Sequence, residues 1–87
     1  MDRRFFGLRI KGDSIYPKYQ NGDTVIFKMQ SNIDYGQEAL VYVNGYDATF
    51  KKVIKSNKSV ILQPLNSEFS PIIVEDDETF SVAGVPV

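Results

Sequence analysis

Apolar and polar residues alternate with a period close to two along most of the chain, and long stretches with the 3.6-residue period of a helix are missing. Turn residues separate the alternating segments, which indicates short strands rather than helices. The predicted strands are residues 6–11, 24–29, 38–43, 46–55, 59–62, 72–74 and 79–83. We therefore predict an all-β fold, with a small antiparallel sheet of six or seven strands that is partly closed or folded over.

Four turn signals mark the boundaries between these strands. Residues 12–17 (Gly-Asp-Ser-Ile-Tyr-Pro) end the first strand, and a single helical turn is expected before the turn at residues 21–23. Asn44-Gly45 is the strongest hairpin signal, because both central residues of a type I′ turn need a positive φ. Residues 56–58 are predicted to form a second tight turn.

The composition excludes several kinds of chemistry. The chain has 87 residues, with no cysteine and no histidine. Its length leaves room for one small domain, which we expect to span residues 1–87. Disulfides, thiolate zinc sites, cysteine nucleophiles and a Ser-His-Asp triad are excluded, and no metal or cofactor is expected. Acid-base chemistry near neutral pH must therefore use a carboxylate, a tyrosine or a lysine.

The balance of charges argues against a stand-alone nucleic-acid binder. Ten basic and eleven acidic residues give a formal charge of −1, whereas such binders usually carry a basic excess. Four lysines lie close together at positions 51, 52, 55 and 58, and a solvated strand face is the ordinary interpretation of such a cluster. No apolar run approaches the roughly 18–20 residues that span a membrane, and no signal peptide is recognisable. The expected location is the cytoplasm.

One nucleophilic scheme that needs no histidine fits this sequence, namely a serine hydroxyl activated by a neutral lysine amine. The turn Gly12-Asp13-Ser14 would expose the serine hydroxyl close to main-chain N–H groups that can receive an oxyanion. A simpler interpretation of the same residues is an Asx or Ser turn that caps a short helix.

The alternation leaves two lysines as candidates for the base. It places Thr49 and Lys51 on one face of the predicted fourth strand and Lys52 on the other, without deciding which face is buried. A buried amine loses hydration, which lowers its pKa from about 10.4 towards 7, at a cost of roughly 4 kcal/mol for charging. Taken alone, each of these lysines is more commonly a surface residue.

Four segments of the chain form a recognisable set. They are Phe5–Ile15, Asn21–Ile26, Ala48–Val53 and the pattern Leu-x-Pro-x-Asn-Ser-x-Phe-x-Pro-Ile over residues 62–72. Each piece is short, but their order and spacing together are specific. In these segments the sequence resembles the protease domain of LexA-like repressors, and the resemblance runs from about residue 5 to residue 85. The family includes LexA, many phage repressors and the UmuD-type polymerase subunits, and type I signal peptidases share its catalytic core.

The resemblance implies roles for individual residues. Ser14 corresponds to the nucleophile, and Lys51 rather than Lys52 corresponds to the general base. Thr49 would exchange a hydrogen bond with the amine. Two further supporting residues flank the nucleophile, Asp13 and Ile15, and the second of these stands where the family usually has methionine.

The resemblance also implies a substrate and partners. Family members cut their own chain at a small-residue–Gly bond upstream of this domain, and in LexA-type repressors a RecA filament favours the cleavable conformation. The parent protein would be a homodimer that binds operator DNA only through an N-terminal domain, without membrane contact. The sequence is accordingly expected to be an excised piece that lacks this domain and the scissile segment, with Met1 added and an early end at Val87.

The sequence also suits two functions other than self-cleavage. The same residues would suit a repressor dimerisation module that keeps the fold without cleaving, and a soluble piece of a signal peptidase is a further alternative. Ala83-Gly84 resembles a cleavage dipeptide, but it lies in the last predicted strand and is not expected to be cut.

Overall fold

Seven strands form a single antiparallel sheet in the computed structural model, which describes residues 4–45 and 48–87. The strands are β1 (Phe5–Arg9), β2 (Thr24–Met29), β3 (Glu38–Val43), β4 (Thr49–Ser56), β5 (Ser59–Gln63), β6 (Ile72–Val74) and β7 (Phe80–Pro86). Their order across the sheet is β1-β2-β7-β3-β4-β5-β6, with β1 and β6 at the two open edges. The predicted all-β fold class is confirmed.

The first strand ends two residues earlier than predicted. Ile10 leaves the ladder with β2, where its N–H donates to the Asp23 carbonyl at 2.7 Å and its own carbonyl accepts from the Gly22 N–H at 2.8 Å. The N–H and carbonyl groups of Ile10 therefore bond to the turn at residues 21–23 and not to a partner strand.

The last strand is longer than predicted and lies in the middle of the sheet. β7 runs on to Pro86 because its final residues pair with β2, while Gly84 also pairs with Leu40 of β3. Glycine fits here because a Cβ at position 84 would lie only 2.7 Å from the Lys28 carbonyl oxygen. Ala83-Gly84 thus belongs to a central strand of the sheet.

Two of the predicted turns have the expected backbone conformations. Asn44 (φ 58°) and Gly45 (φ 71°) both have positive φ, as a type I′ turn requires. The return strand was predicted over residues 46–55, and its first two residues lie outside the described residues. The observed strand β4 begins at Thr49. Asn57 (φ 55°) opens the two-residue loop between β4 and β5, so the second tight turn is confirmed.

The apolar core consists of two clusters. The buried members of the Phe27 cluster are Ile10, Ile15, Val25, Phe27, Leu40 and Phe50. The buried members of the Val53 cluster are Ala39, Val41, Val53, Leu62, Val74 and Val85. In the first cluster the Phe27 ring lies 5.5 Å from that of Phe6 and meets that of Phe50 edge-on at 5.0 Å, both favourable aromatic geometries.

The sheet folds over and so brings the segment after β1 close to β4. Three strands separate β1 from β4 in the sheet order. Neighbouring strands lie about 4.8 Å apart, so a flat sheet would hold these two strands about 19 Å from each other. Instead, Ile15 from the turn after β1 packs in the Phe27 cluster together with Phe50 of β4.

Candidate active site

Ser14 lies in the turn that follows β1, and hydrogen bonds on both sides of it fix this turn. The Gly12 N–H donates to Asn21 Oδ1 at 2.8 Å, and the Tyr16 N–H donates to the Asp13 carbonyl at 3.1 Å. Gly12 has a φ of +85°, which a residue with a side chain rarely adopts. The local sequence therefore presents the serine on a constrained bend.

The residues after Ser14 anchor the turn to the rest of the domain. Ile15 is 2% exposed and packs in the Phe27 cluster. The predicted helical turn is present as a bond of α-helical spacing, from the Tyr19 N–H to the Ile15 carbonyl at 3.3 Å. Lys18 Nζ donates to Glu38 Oε1 at 2.8 Å at the start of β3, and this contact raises the pKa of Lys18.

Lys51 is the only charged residue that is buried among residues 4–45 and 48–87, with 8% of its surface exposed. Its Nζ donates to Ser14 Oγ at 3.0 Å and to Thr49 Oγ1 at 2.7 Å. No carboxylate of the described residues forms an ion pair with it, and burial lowers the pKa of the Lys51 amine from its ordinary value. Desolvation thus favours the neutral amine, which is the form that can accept a proton from a hydroxyl.

Lys52 occupies the other face of β4. Its neighbours across the sheet are Glu38 of β3 and Gln63 of β5, and its side chain is only partly buried. The structure therefore brings Lys51, and not Lys52, to Ser14.

A small cavity of about 140 Å³ opens beside Ser14 and Lys51. Its lining is mixed: apolar residues are Leu8, Ile10, Ile15, Phe27, Leu40, Ala48 and Phe50, and polar or charged residues are Arg9, Lys11, Ser14, Thr49 and Lys51. An apolar cavity of about 150 Å³ can hold a benzene molecule, so this space has room for a side chain of small or medium size.

Main-chain groups next to the serine hydroxyl are free to act as donors. Within the part of the chain that the structure describes, the N–H groups of Ser14 and Ile15 make no hydrogen bond. Unused N–H groups next to a nucleophile are the usual donors of an oxyanion hole.

Asn66 also contacts the serine turn, which the sequence did not predict. Its N–H donates to the Ser14 carbonyl at 3.0 Å, and its Nδ2 donates to the Asp13 carbonyl at 2.9 Å. Asp13 thus contributes its main-chain carbonyl, while its side chain is exposed. The available signal was an Asn in an irregular segment, since such side chains commonly bond to main-chain groups.

The whole chain matches the model of one protein family, described as Peptidase S24-like, over residues 1–87. The chain belongs to the Peptidase S24-like family. This finding and the LexA relatives confirm the resemblance to LexA-like repressors that the sequence motifs indicated.

Curated relatives of this Peptidase S24-like chain are LexA repressors. It is 34% identical over 83 residues to the LexA repressor of Syntrophotalea carbinolica, covering 94% of the chain and 41% of that relative. It is 37% identical over 73 residues to that of Syntrophobacter fumaroxidans, covering 83% of the chain and 35% of the relative. It is 34% identical over 76 residues to the LexA repressor of Geobacillus kaustophilus, covering 86% of the chain and 37% of that relative. The S24-like chain therefore spans about two-fifths or less of the length of these relatives.

Residues 4–45 and 48–87 of this S24-like chain contain no helix that is long and apolar enough to cross a membrane.

Proposed function

We propose that this chain is the self-cleaving peptidase and dimerisation domain of a LexA-like transcriptional repressor, with Ser14 as nucleophile and Lys51 as general base. The observation that carries the proposal is the 3.0 Å contact between Lys51 Nζ and Ser14 Oγ, two groups 37 residues apart in the sequence. A buried amine without a carboxylate partner destabilises a small domain. The position of the Lys51 amine beside the Ser14 hydroxyl allows it to act as the general base for that hydroxyl.

The reaction begins with proton transfer from Ser14 to the neutral amine of Lys51. Oγ attacks the carbonyl carbon of the scissile peptide bond, an Oγ–C bond forms, and the carbonyl oxygen becomes an oxyanion. The Ser14 N–H stabilises this oxyanion. The Lys51 ammonium then gives its proton to the leaving amine as the C–N bond breaks, and the regenerated amine activates the water that hydrolyses the ester.

Thr49 orients the amine during these steps. Its Oγ1 accepts a hydrogen bond from Lys51 Nζ at 2.7 Å. This bond leaves the lone pair of the neutral amine available to the Ser14 hydroxyl. A fixed amine keeps the base within reach of the hydroxyl, and general-base catalysis requires that proximity.

The cavity next to the dyad is the proposed place of the side chain on the acyl side of the cut bond. Its volume of about 140 Å³ has room for an alanine side chain, and apolar residues form part of its lining. The resemblance to LexA-like repressors supports the proposed substrate, a small-residue–Gly bond in the chain that precedes this domain in the full-length protein.

The similarity to LexA repressors supports a set of proposed partners. We propose that the full-length protein forms a homodimer in the cytoplasm and binds operator DNA through a separate domain. A RecA filament is the proposed co-protease that favours the cleavable conformation.

The test is self-cleavage of the full-length protein incubated at alkaline pH. We expect two fragments from the wild type, and no cleavage from Ser14→Ala or Lys51→Ala. Lys52→Ala is the matched control, since Lys52 is the next lysine of β4 and lies on the other face; it should cleave within about twofold of the wild-type rate. A wild-type chain that stays intact with its scissile segment present would instead favour the non-cleaving dimerisation module.

A further inference from the structure

Asn66 holds the carbonyl groups on both sides of the Ser14 residue. Its side-chain Nδ2 donates to the Asp13 carbonyl at 2.9 Å, and its main-chain N–H donates to the Ser14 carbonyl at 3.0 Å. Asn66 lies 53 residues from Asp13 along the chain, so these contacts join two distant segments at the nucleophile.

The direction of the Asp13 carbonyl determines the direction of the Ser14 N–H. Both belong to one planar trans peptide group, in which C=O and N–H point to opposite sides. The Asp13 carbonyl accepts from Asn66 Nδ2 and from the Tyr16 N–H, while the Ser14 N–H has no acceptor among the described residues. Asn66 therefore holds the peptide group from the side opposite to the free N–H.

Asn66 is itself held in place by its own segment. Its Oδ1 accepts from the Glu68 N–H at 3.0 Å, and its carbonyl accepts from the Phe69 N–H at 3.1 Å. The preceding residues are fixed by packing, because Pro64 is buried and Leu65 lies against the Phe27 cluster. The amide group of Asn66 thus approaches the serine turn from a rigid support.

We propose that Asn66 is a positioning residue, which orients the Asp13–Ser14 peptide group so that the Ser14 N–H points at the oxyanion of the cleavage reaction. This inference rests on the function proposed above. It assigns a role to the asparagine of the Leu-x-Pro-x-Asn pattern at residues 62–66. A residue that aims an oxyanion donor acts on the transition state and leaves the protonation of the base unchanged.

Two substitutions in the full-length protein distinguish this positioning role from a purely structural role of Asn66 in its own segment. Asn66→Ala removes both side-chain bonds and adds no charge. Asn66→Asp keeps an oxygen that can accept from the Glu68 N–H but loses the donor to the Asp13 carbonyl. Asn44→Asp is the matched control, because Asn44 also joins two segments by donating to Glu78 and accepting from Thr79, on the loops that join β3 to β4 and β6 to β7.

The measurement is the rate constant of self-cleavage as a function of pH, together with the melting temperature of each variant. We expect both Asn66 variants to lower the plateau rate at high pH by about 10- to 100-fold, less than the loss of a whole oxyanion donor. For Asn66→Ala the pH midpoint should stay at the wild-type value, because Lys51 keeps its contacts with Ser14 and Thr49. Asn44→Asp should cleave within about twofold of the wild type.

Three results would overturn the role of Asn66 while the wild type cleaves. The first is a plateau rate of Asn66→Asp equal to that of the wild type, and the second is a pH midpoint of Asn66→Ala that differs from the wild-type midpoint. The third is a loss of rate in Asn44→Asp as large as that in Asn66→Asp when the two variants have the same melting temperature. If Asn66→Asp does not fold, Asn66→Ala decides alone by its plateau and midpoint. A wild type that does not cleave overturns the proposed function first, and the role of Asn66 with it.

Discussion

Lys51 Nζ lies 3.0 Å from Ser14 Oγ, although three strands separate β1, which leads into the serine turn, from the lysine's own strand in the sheet order. The contact exists because the sheet folds over and Ile15 fastens the turn to the Phe27 cluster. Hydroxyl groups of Ser14 and Thr49, rather than a carboxylate, surround the amine. The fold therefore holds a poorly solvated base against a nucleophile, and this arrangement can be tested by substitution.

Replacing Lys51 with methionine should abolish cleavage and leave the domain folded. Methionine keeps most of the buried stem and removes only the amine that burial penalises. We expect the free energy of unfolding of Lys51→Met at neutral pH to equal the wild-type value or to exceed it by up to about 2 kcal/mol. Urea denaturation measures the difference. A large loss of stability would mean that the amine contributes essential bonds to the fold.

The pH dependence of both cleavage and stability should report the lowered pKa of Lys51. Cleavage should accelerate with pH and level off once the amine is neutral, with a midpoint below the ordinary pKa of a lysine side chain. The amine of Lys51 has its ordinary pKa in the unfolded chain and a lowered pKa in the folded chain, so the unfolded chain binds more protons at pH values between the two. The free energy of unfolding of the wild type, relative to that of Lys51→Met, should therefore rise with pH between the folded and the unfolded pKa.

A rate that does not change with pH would contradict lysine as the base. A stability difference between the wild type and Lys51→Met that stays constant across the same window would contradict the burial of its amine. Stopped incubations analysed by gel give the rates, and urea denaturation at matched pH values gives the stabilities.

Strand alternation could not decide between Lys51 and Lys52, and the structure shows the physical reason. Both faces of β4 carry buried residues, with Phe50 in one core cluster and Val53 in the other. A strand that is covered on both faces has no polar side on which a lysine must lie. The resemblance preferred Lys51, and the structure places that lysine against Ser14.

The strands themselves were predictable because turn residues and alternation agree along the chain. The positive φ of Asn44 and Asn57, for example, follows from residue types that tolerate such turns. The central place of β7 and the contact of Asn66 with the serine turn were not predictable. Both depend on pairing between residues far apart in the sequence, which local patterns do not encode.

Replacing Thr49 with valine should slow cleavage while the strand is preserved. Valine has nearly the same shape and favours strands, but it cannot accept the 2.7 Å hydrogen bond from Lys51 Nζ. A hydrogen bond with a charged or activated group contributes about 1.5 kcal/mol, which corresponds to roughly a tenfold lower rate. Thr24→Val makes the same change at an exposed position of β2 and is the control.

The Thr49→Val and Thr24→Val rates should be compared at the high-pH plateau, where the amine is neutral in both variants. An equal rate for the two variants would show that Thr49 does not orient the base. Circular dichroism spectra of both variants check that the sheet is intact.

The central position of β7 makes Gly84 sensitive to a single methyl group. An added Cβ would lie 2.7 Å from the Lys28 carbonyl oxygen and 3.1 Å from the Phe6 ring, and the backbone oxygen cannot move without breaking the β2–β7 pairing. We expect Gly84→Ala to lower the free energy of unfolding by about 1–3 kcal/mol. Gly7→Ala on the edge strand β1 is the matched control, because its Cβ would meet the flexible end of Ile26 at 3.3 Å. Thermal melting compares them, and equal melting temperatures would contradict the tight approach of β2 and β7 at this point.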